Sequence, residues 1–114
     1  MKKLTLAAIA AAMVASSAPV FADLNIPLLS YRTGPYAPNG IPYADGVEDY
    51  LAMINARDGG VGGVPINVLQ CETGYNTERG VECYESTKGQ GALVYFPLST
   101  GITYQLIPKA TADD

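Results

Sequence analysis

The sequence predicts an α/β fold, a doubly wound parallel sheet with helices on both faces. Two observations lead to this class. Strand-like and helix-like segments alternate in the order strand, helix, strand, helix, strand, helix. The strand-like segments are also apolar almost throughout, as strands are when helices cover both faces of a parallel sheet.

The first strand is predicted at residues 25–31, with Pro27 tolerable near its start. The sequence RTGPYAPNG follows, and its glycines and prolines indicate a structured loop. A helix is then predicted over residues 42–57, because apolar side chains recur there at helical spacing. Pro42 suits a first helical turn, and Gly59 is a natural stop.

The second strand is predicted at residues 65–70, after the glycine-rich turn GGVGGV. A helix capped by Asn76 or Thr77 follows and ends near Gly89. The third strand is predicted at residues 93–96. The last segment, ITYQLIPKATADD, begins another helix, which Pro108 is expected to break or kink near residue 107.

Residues 1–22 are predicted to be a secretory signal peptide. Lys2 and Lys3 precede an apolar, alanine-rich run, and the ending Val20-Phe21-Ala22 is typical of a cleavage site. The run is shorter than the ~20 apolar residues of a membrane span, and a retained membrane anchor is the alternative. Cleavage after Ala22 leaves 5 basic and 11 acidic residues, a net charge of −6. Such a chain is a poor nucleic-acid binder, because phosphate neutralisation needs lysine and arginine.

Cys71 and Cys83 are the only cysteines in the sequence. In an exported chain, two cysteines most simply form one disulfide. The alternative is a metal or catalytic role, but the chain has no histidine, and two thiols make an incomplete zinc site. No motif pairs a nucleophile with an activating base. The sequence therefore predicts a protein that is not an enzyme and has no metal site and no cofactor.

The candidate binding site lies in the loops that follow the strands. Ligands of open parallel sheets bind outside the carboxyl ends of the strands, where the strand order reverses. In the usual doubly wound order, the first and third strands are neighbours at that point. Ser99 and Thr100 follow the third strand and bring hydroxyl groups, while Gly101 lets a ligand approach the backbone. The free amides of the next helix favour a carboxylate, although the same residues could simply cap that helix.

The other two loops contribute weaker candidates. Tyr36 in the first loop could stack on a ligand or cover the edge of the core. Asn39 could reach the crevice or only shape a turn with Gly40. Tyr75, in the second loop, has the least support, because the second strand lies one place away from the switch point.

The order of these motifs resembles one family of receptors. The segments TGPYAPNG, INARDGGVGG, CETGYNTERGVECYE and PLSTGIT are similar to the amino-terminal part of the branched-chain amino acid (Leu/Ile/Val) family of periplasmic solute-binding proteins. The resemblance covers the whole mature chain. It implies a type I periplasmic binding fold with two α/β lobes that close on a small solute. It also implies that Leu98, Ser99 and Thr100 contact the ligand and that Tyr36 and Asn39 line the mouth of the site.

The resemblance further implies a function. The chain would be the solute-binding component of an ABC importer, capturing branched-chain amino acids or related small polar solutes in the periplasm for a membrane permease. Family members are several times longer, so residues 23–114 are expected to be the amino-terminal part of the first lobe, without the second lobe. Such a fragment is expected to be poorly stable and to bind solute weakly. The alternatives are a ligand-sensing domain of the same fold for amides or urea, and a small disulfide-tied exported structural domain.

Overall fold

The computed structural model describes residues 22–113, so all of the predicted signal peptide except Ala22 lies outside the described residues. Three strands and three α-helices alternate along this part of the chain. In chain order they are β1 (Leu24–Ser30), α1 (Ala37–Asp58), β2 (Ile66–Glu72), α2 (Thr77–Thr87), β3 (Phe96–Pro97) and α3 (Thr100–Asp113), and a short 3₁₀ turn (Lys88–Gln90) follows α2.

The three strands form one parallel sheet in the order β2-β1-β3. The β1–β2 ladder runs along the full length of both strands, from Leu24 opposite Ile66 to Ser30 opposite Glu72. The β1–β3 ladder contains only Leu28 opposite Phe96 and Leu29 opposite Pro97. The predicted α/β class with a parallel sheet is confirmed, and so is the prediction that the first and third strands are neighbours.

The core lies on both sides of the central strand β1. Leu28 and Leu29 are both fully buried, and successive side chains of a strand point to opposite faces. Leu29 packs in a cluster with side chains of α2 and α3, namely Cys83, Tyr84, Ile102 and Leu106. Helix α1 contacts β1 and β2. Right-handed crossovers place α1 and α2 on opposite faces of a sheet with this strand order.

Helix α1 begins at Ala37, five residues before the predicted start at Pro42. Pro38 occupies the first turn, where a missing N–H leaves no hydrogen bond unmade. Gly40 is buried, and a Cβ there would overlap the Tyr31 ring and the Tyr31 carbonyl oxygen. Glycine at this position therefore lets the helix run directly over the end of β1. The loop between β1 and α1 is therefore shorter than predicted, and Asn39 lies inside α1.

Two expectations for the last third of the chain are wrong. Helix α3 continues through Pro108 to Asp113 without a break. Its final turns are held by α2, since Asp113 accepts a hydrogen bond from the Tyr84 hydroxyl at 2.9 Å and Lys109 pairs with Glu85 at 3.1 Å. Strand β3 is also shorter and later than the predicted residues 93–96, because residues 93–95 lie between an isolated bridge at Ala92 and the ladder at Phe96.

The predicted pairing of Cys71 with Cys83 is confirmed. The two residues form a disulfide with an S–S distance of 2.02 Å, and it joins β2 to α2. Asn76 caps α2 as predicted, since its side chain accepts a hydrogen bond from the Arg79 backbone N–H at 2.9 Å. Within residues 22–113, no helix combines the length and the apolar character that crossing a membrane requires.

Candidate functional site

The turn between β3 and α3 places Ser99 just beyond the end of the sheet. The Leu98 N–H donates to the carbonyl oxygen of Leu29 at 3.2 Å, which ties the turn to β1. Ser99 caps α3, because its Oγ accepts from the Ile102 N–H at 3.3 Å and its carbonyl oxygen accepts from the Thr103 N–H at 2.9 Å. The capping role that the sequence left open is therefore present in the structure.

The cap does not use all the polar groups of the turn. The first four N–H groups at a helix start have no partner within the helix, and of these the Ser99 hydroxyl satisfies that of Ile102. The N–H groups of Thr100 and Gly101 have no backbone acceptor among the described residues. The Ser99 hydroxyl accepts in the cap and still has its hydrogen to donate. Three donors are thus available for an anionic group at this helix start.

A shallow cavity of about 350 Å³ lies against this turn. Its volume is in the range of sites that hold small organic ligands. All three residues predicted to contact a ligand in this turn, Leu98, Ser99 and Thr100, line the cavity. The residues that line it are Pro97, Leu98, Ser99, Thr100, Thr103 and Tyr104.

Neither Tyr36 nor Asn39 lines this cavity. Asn39 is exposed in the first turn of α1, and its backbone N–H donates to the Tyr36 carbonyl oxygen at 3.0 Å. Tyr36 lies immediately before α1 with 49% of its surface exposed. The structure therefore separates the first-loop candidates from the turn after β3.

Tyr36 belongs to a cluster of three tyrosines. Its ring centroid lies 4.5 Å from that of Tyr75 and 6.5 Å from that of Tyr31, and the rings of Tyr31 and Tyr75 are 4.9 Å apart in an edge-to-face arrangement. Tyr31 is buried, whereas Tyr75 is 41% exposed. From sequence patterns, Tyr75 has the least support of the loop candidates, and Tyr31 is predicted only as the end of a strand.

The loop after β2 lies close to the first loop, since a Cβ on Gly34 would lie 3.3 Å from the Gly74 carbonyl oxygen. The starts of α2 and α3 also lie close together, since the Thr77 Oγ1 lies 3.2 Å from the position of a Cβ on Gly101.

Glu72 fastens the first two exit loops to each other. Its carboxylate accepts hydrogen bonds from the backbone N–H groups of Arg32 and Gly74, both at 2.7 Å, and from the Thr33 Oγ1 at 3.0 Å. Partial burial raises the pKa of the Glu72 carboxyl, but these hydrogen bonds outweigh it and hold the pKa below its usual value. The charged carboxylate is therefore the form that holds the loops together.

The cation of the first loop, Arg32, is paired with two carboxylates of α1. The Arg32 guanidinium pairs with Asp45 and Glu48, each at 2.5 Å. The carboxylates keep the pKa of Arg32 raised, with the hydrogen bond to Asp45 as the largest contribution. Arg32 is thus already engaged within the protein. Residues 22–113 contain no group of three or more histidine, cysteine or acidic side chains arranged to hold a metal ion.

A parallel α/β lobe with a small open cavity at the carboxyl end of a strand is the arrangement typical of a ligand-binding domain. Comparison with known proteins agrees with this class. A family model described as periplasmic binding protein matches residues 23–114. The chain belongs to the periplasmic binding protein family.

Solved structures show the same fold. The chain is similar to an ABC transporter permease from the Pseudomonas fluorescens group, with 39% identity, a TM-score of 0.74 and 80% of this chain covered. It also superimposes on a fatty acid ABC transporter substrate-binding protein from Thermomonospora curvata (24% identity, TM-score 0.71, 80% covered). An extracellular ligand-binding receptor from Verminephrobacter eiseniae ef01-2 gives 19% identity, a TM-score of 0.69 and 81% coverage.

The matched region is a small part of each of these solved proteins. It covers 23% of the first two and 26% of the third. The chain therefore spans about a quarter of their length. No curated protein matches the chain.

Proposed function

We propose that this chain is part of the solute-binding component of an ABC importer and acts in the periplasm. The observation that carries the proposal is the turn at Ser99, where unused N–H donors lie beside a cavity at the carboxyl end of β3. Membership of the periplasmic binding protein family supports it. So does the 39% identical structure, whose description names an ABC transporter.

The chemistry of the turn favours a solute that carries a carboxylate. The amides of Thr100 and Gly101 and the hydroxyl hydrogen of Ser99 all donate, and the start of a helix has a partial positive charge. Branched-chain amino acids or related small polar solutes, including amides, fit this donor set and a cavity of about 350 Å³.

In this proposal the protein captures its solute and does not transform it. Residues 23–114 form the amino-terminal part of a first lobe, and a second lobe closes over the solute. The longer solved proteins of the same fold support this view, since the chain spans only about a quarter of each. Closure then presents the loaded receptor to a membrane permease. Export depends on the predicted signal peptide with cleavage after Ala22.

The test separates the capping role of Ser99 from its role toward a solute. Ser99→Asp retains a good helix cap but places a negative charge where a carboxylate would bind. NMR titrations of the exported protein use millimolar L-leucine and L-valine, because weak binding is expected of a single lobe. The wild type should show shifts at Ser99, Thr100 and Gly101, and Ser99→Asp should abolish them with the fold intact.

Acetamide is the matched uncharged probe. If it binds and its binding survives Ser99→Asp, the solute is an amide and the carboxylate interpretation is wrong. If neither the amino acids nor acetamide perturbs the turn in the wild type, the proposed solute-binding function is contradicted.

A further inference from the structure

An open apolar groove lies between helix α1 and strand β3. Its volume is about 470 Å³, and its walls are almost entirely apolar. Six residues of α1 between Pro42 and Leu51 line it, together with Phe96 of β3. Its rings are open to solvent, since Tyr43 is 40% exposed and Tyr50 is 59% exposed. An exposed apolar surface of this kind marks a place where another group binds.

Neither of the other described helices covers this groove. Phe96 is paired with Leu28 in the β1–β3 ladder, so both side chains point to the face of the sheet opposite Leu29. Leu29 packs against α2 and α3, which therefore lie on the other face. The surface over β3 on the α1 side is thus left open by residues 22–113.

A negative charge lies beside the groove. Asp49 is exposed and follows Gly46 by three residues, a spacing that makes the two neighbours on the helix surface. Asp45 and Glu48 are already paired with Arg32. The ion pairs of residues 22–113 do not include Asp49. An apolar occupant with a cation at one end would therefore match both the groove and its rim.

The predicted signal peptide of the same chain has this composition. Residues 4–14 are apolar and alanine-rich, and Lys2 and Lys3 precede them. Eleven residues measure between ~16 Å as a helix and ~36 Å when fully extended. The groove extends over nine helical rises of α1, which is ~14 Å. The apolar run is therefore long enough to fill the groove and to leave its two lysines at one end.

The same segment joins the fold near the groove. Leu24 begins β1 and is paired with Ile66. Ile66 in turn exchanges two hydrogen bonds of 2.8 Å with the side chain of Asn55 in α1. Asn55 lies about one helical turn beyond Leu51, the last residue of the groove. Residues 15–23 can span up to ~30 Å, so the apolar run can reach the whole groove.

We infer that in the uncleaved chain residues 4–14 occupy the groove between α1 and β3, with Lys2 and Lys3 beside Asp49. The signal peptide then covers apolar surface that the described part of the chain leaves open. Cleavage after Ala22 uncovers this surface again, so that it becomes accessible only in the exported protein. The inference goes beyond the proposed function, because it concerns the opposite end of α1 from any solute and needs no solute to be bound.

The experiment adds a synthetic peptide of residues 1–22 to the exported protein and follows the amide signals by NMR. Shifts are expected at Gly46, Val47 and Phe96 but not at Val81, which packs on the other face of the sheet. Gly46→Gln places a side chain in the groove without disturbing the fold, because a Cβ there would meet no atom within 4 Å. It should weaken peptide binding about fivefold or more. Ala52→Gln, at an exposed position of α1 that does not line the groove, is the matched control and should leave the affinity unchanged.

A charge exchange tests the orientation of the peptide. Asp49→Lys should weaken binding about two- to fivefold, the range of an exposed ion pair. A peptide with glutamate in place of Lys2 and Lys3 should bind the wild type more weakly by a similar factor. The same peptide should recover this loss with Asp49→Lys, and a failure to recover would contradict the placement of the lysines beside Asp49.

The uncleaved chain, residues 1–114, provides a second measurement. Its signals at Gly46, Val47 and Phe96 should already differ from those of the exported protein, and added peptide should not move them further. If these signals are the same in both forms, or if the peptide shifts none of them in the exported protein, the inference is wrong. It is also wrong if sedimentation shows that both forms dimerise and that Gly46→Gln abolishes both dimers, because the groove then binds a second copy. No solute enters these measurements, so none of these results bears on the proposed function.

Discussion

Thr73 donates two hydrogen bonds to the carbonyl oxygen of Ser30, one from its backbone N–H at 2.8 Å and one from its Oγ1 at 2.9 Å. The same Oγ1 accepts from the Tyr75 N–H at 3.2 Å. The Thr73 side chain is completely buried. One hydroxyl thus joins the end of the central strand to the turn that carries Tyr75, and it couples the stability of the sheet to the shape of the candidate site.

Replacing Thr73 by valine is expected to destabilise the protein by about 1–2 kcal/mol. The change conserves shape but removes the hydroxyl, which leaves the Tyr75 N–H without its acceptor. Urea denaturation measures the loss. Ser30→Ala is the comparison, because the buried Ser30 Oγ has no hydrogen-bond partner among the described residues. Removing this hydroxyl should lower the free energy of unfolding by less than ~0.5 kcal/mol or raise it. Equal losses in the two variants would contradict the role assigned to the Thr73 hydroxyl.

Two glycines of helix α1 should respond in opposite directions to alanine. A Cβ at Gly40 would collide with the backbone and ring of Tyr31, so Gly40→Ala is expected to cost about 3 kcal/mol or more. A Cβ at Gly46 would meet no atom within 4 Å, so Gly46→Ala should stabilise by about 0.5–1 kcal/mol through helix propensity. Thermal unfolding of both variants checks the prediction. A tolerated Gly40→Ala would show that α1 does not lie over β1 as described.

The disulfide between Cys71 and Cys83 is expected to contribute about 3 kcal/mol to stability. It closes a loop with a sequence separation of 12 residues, and cross-links of this length stabilise chiefly by restricting the unfolded chain. The double variant Cys71→Ser with Cys83→Ser should lose this amount in urea denaturation. Reduction of the wild type should give the same loss. Thiol titration of the denatured, oxidised protein should detect no free thiol, and two free thiols would refute the pairing.

Glu72 gives part of the stability a dependence on acid pH. Its pKa is lower in the folded chain than the ordinary 4.5, so the folded state favours the charged carboxylate. This contribution is fully present above pH 4.5 and is lost as the pH falls through the lowered folded value. Glu72→Gln should therefore reduce the fall in the free energy of unfolding as the pH drops below 4.5. Glu82→Gln, which changes an acidic residue of α2 without a described hydrogen bond to a loop, is the control and should leave this fall unchanged.

Much of the fold follows from local sequence signals. The alternation of elements, the Asn76 cap and the cysteine pair depend on nearby residues or on simple counting, and the structure confirms them. The prolines were harder to interpret. Pro42 and Pro108 both lie inside helices, because α1 already begins at Ala37 with Pro38 in its first turn and because α2 holds the final turns of α3.

The candidate site was predictable only in part. Residues 98–100 could be placed because they follow an apolar strand and precede a helix, and the structure places them beside one cavity. The packing of Tyr75 in the tyrosine cluster could not be predicted in the same way. It depends on a positive φ and on packing against Tyr36 and Tyr31, which lie far away in the sequence. A tyrosine directly after glycine in a short polar loop was the one signal available.

Strand β1 pairs with β2 over a longer ladder than with β3, and this difference predicts which part of the sheet unfolds locally first. Seven residue pairs join β1 to β2, but only two join β1 to β3. The longer loop that β3 closes adds a further ~0.4 kcal/mol of closure entropy. Local opening should therefore begin at β3, and amide hydrogen exchange at Leu98 should be faster than in the middle of β2. The segment that bears the solute donors is thus the least protected part of the sheet, and an occupant at Ser99 would slow its exchange more than anywhere else.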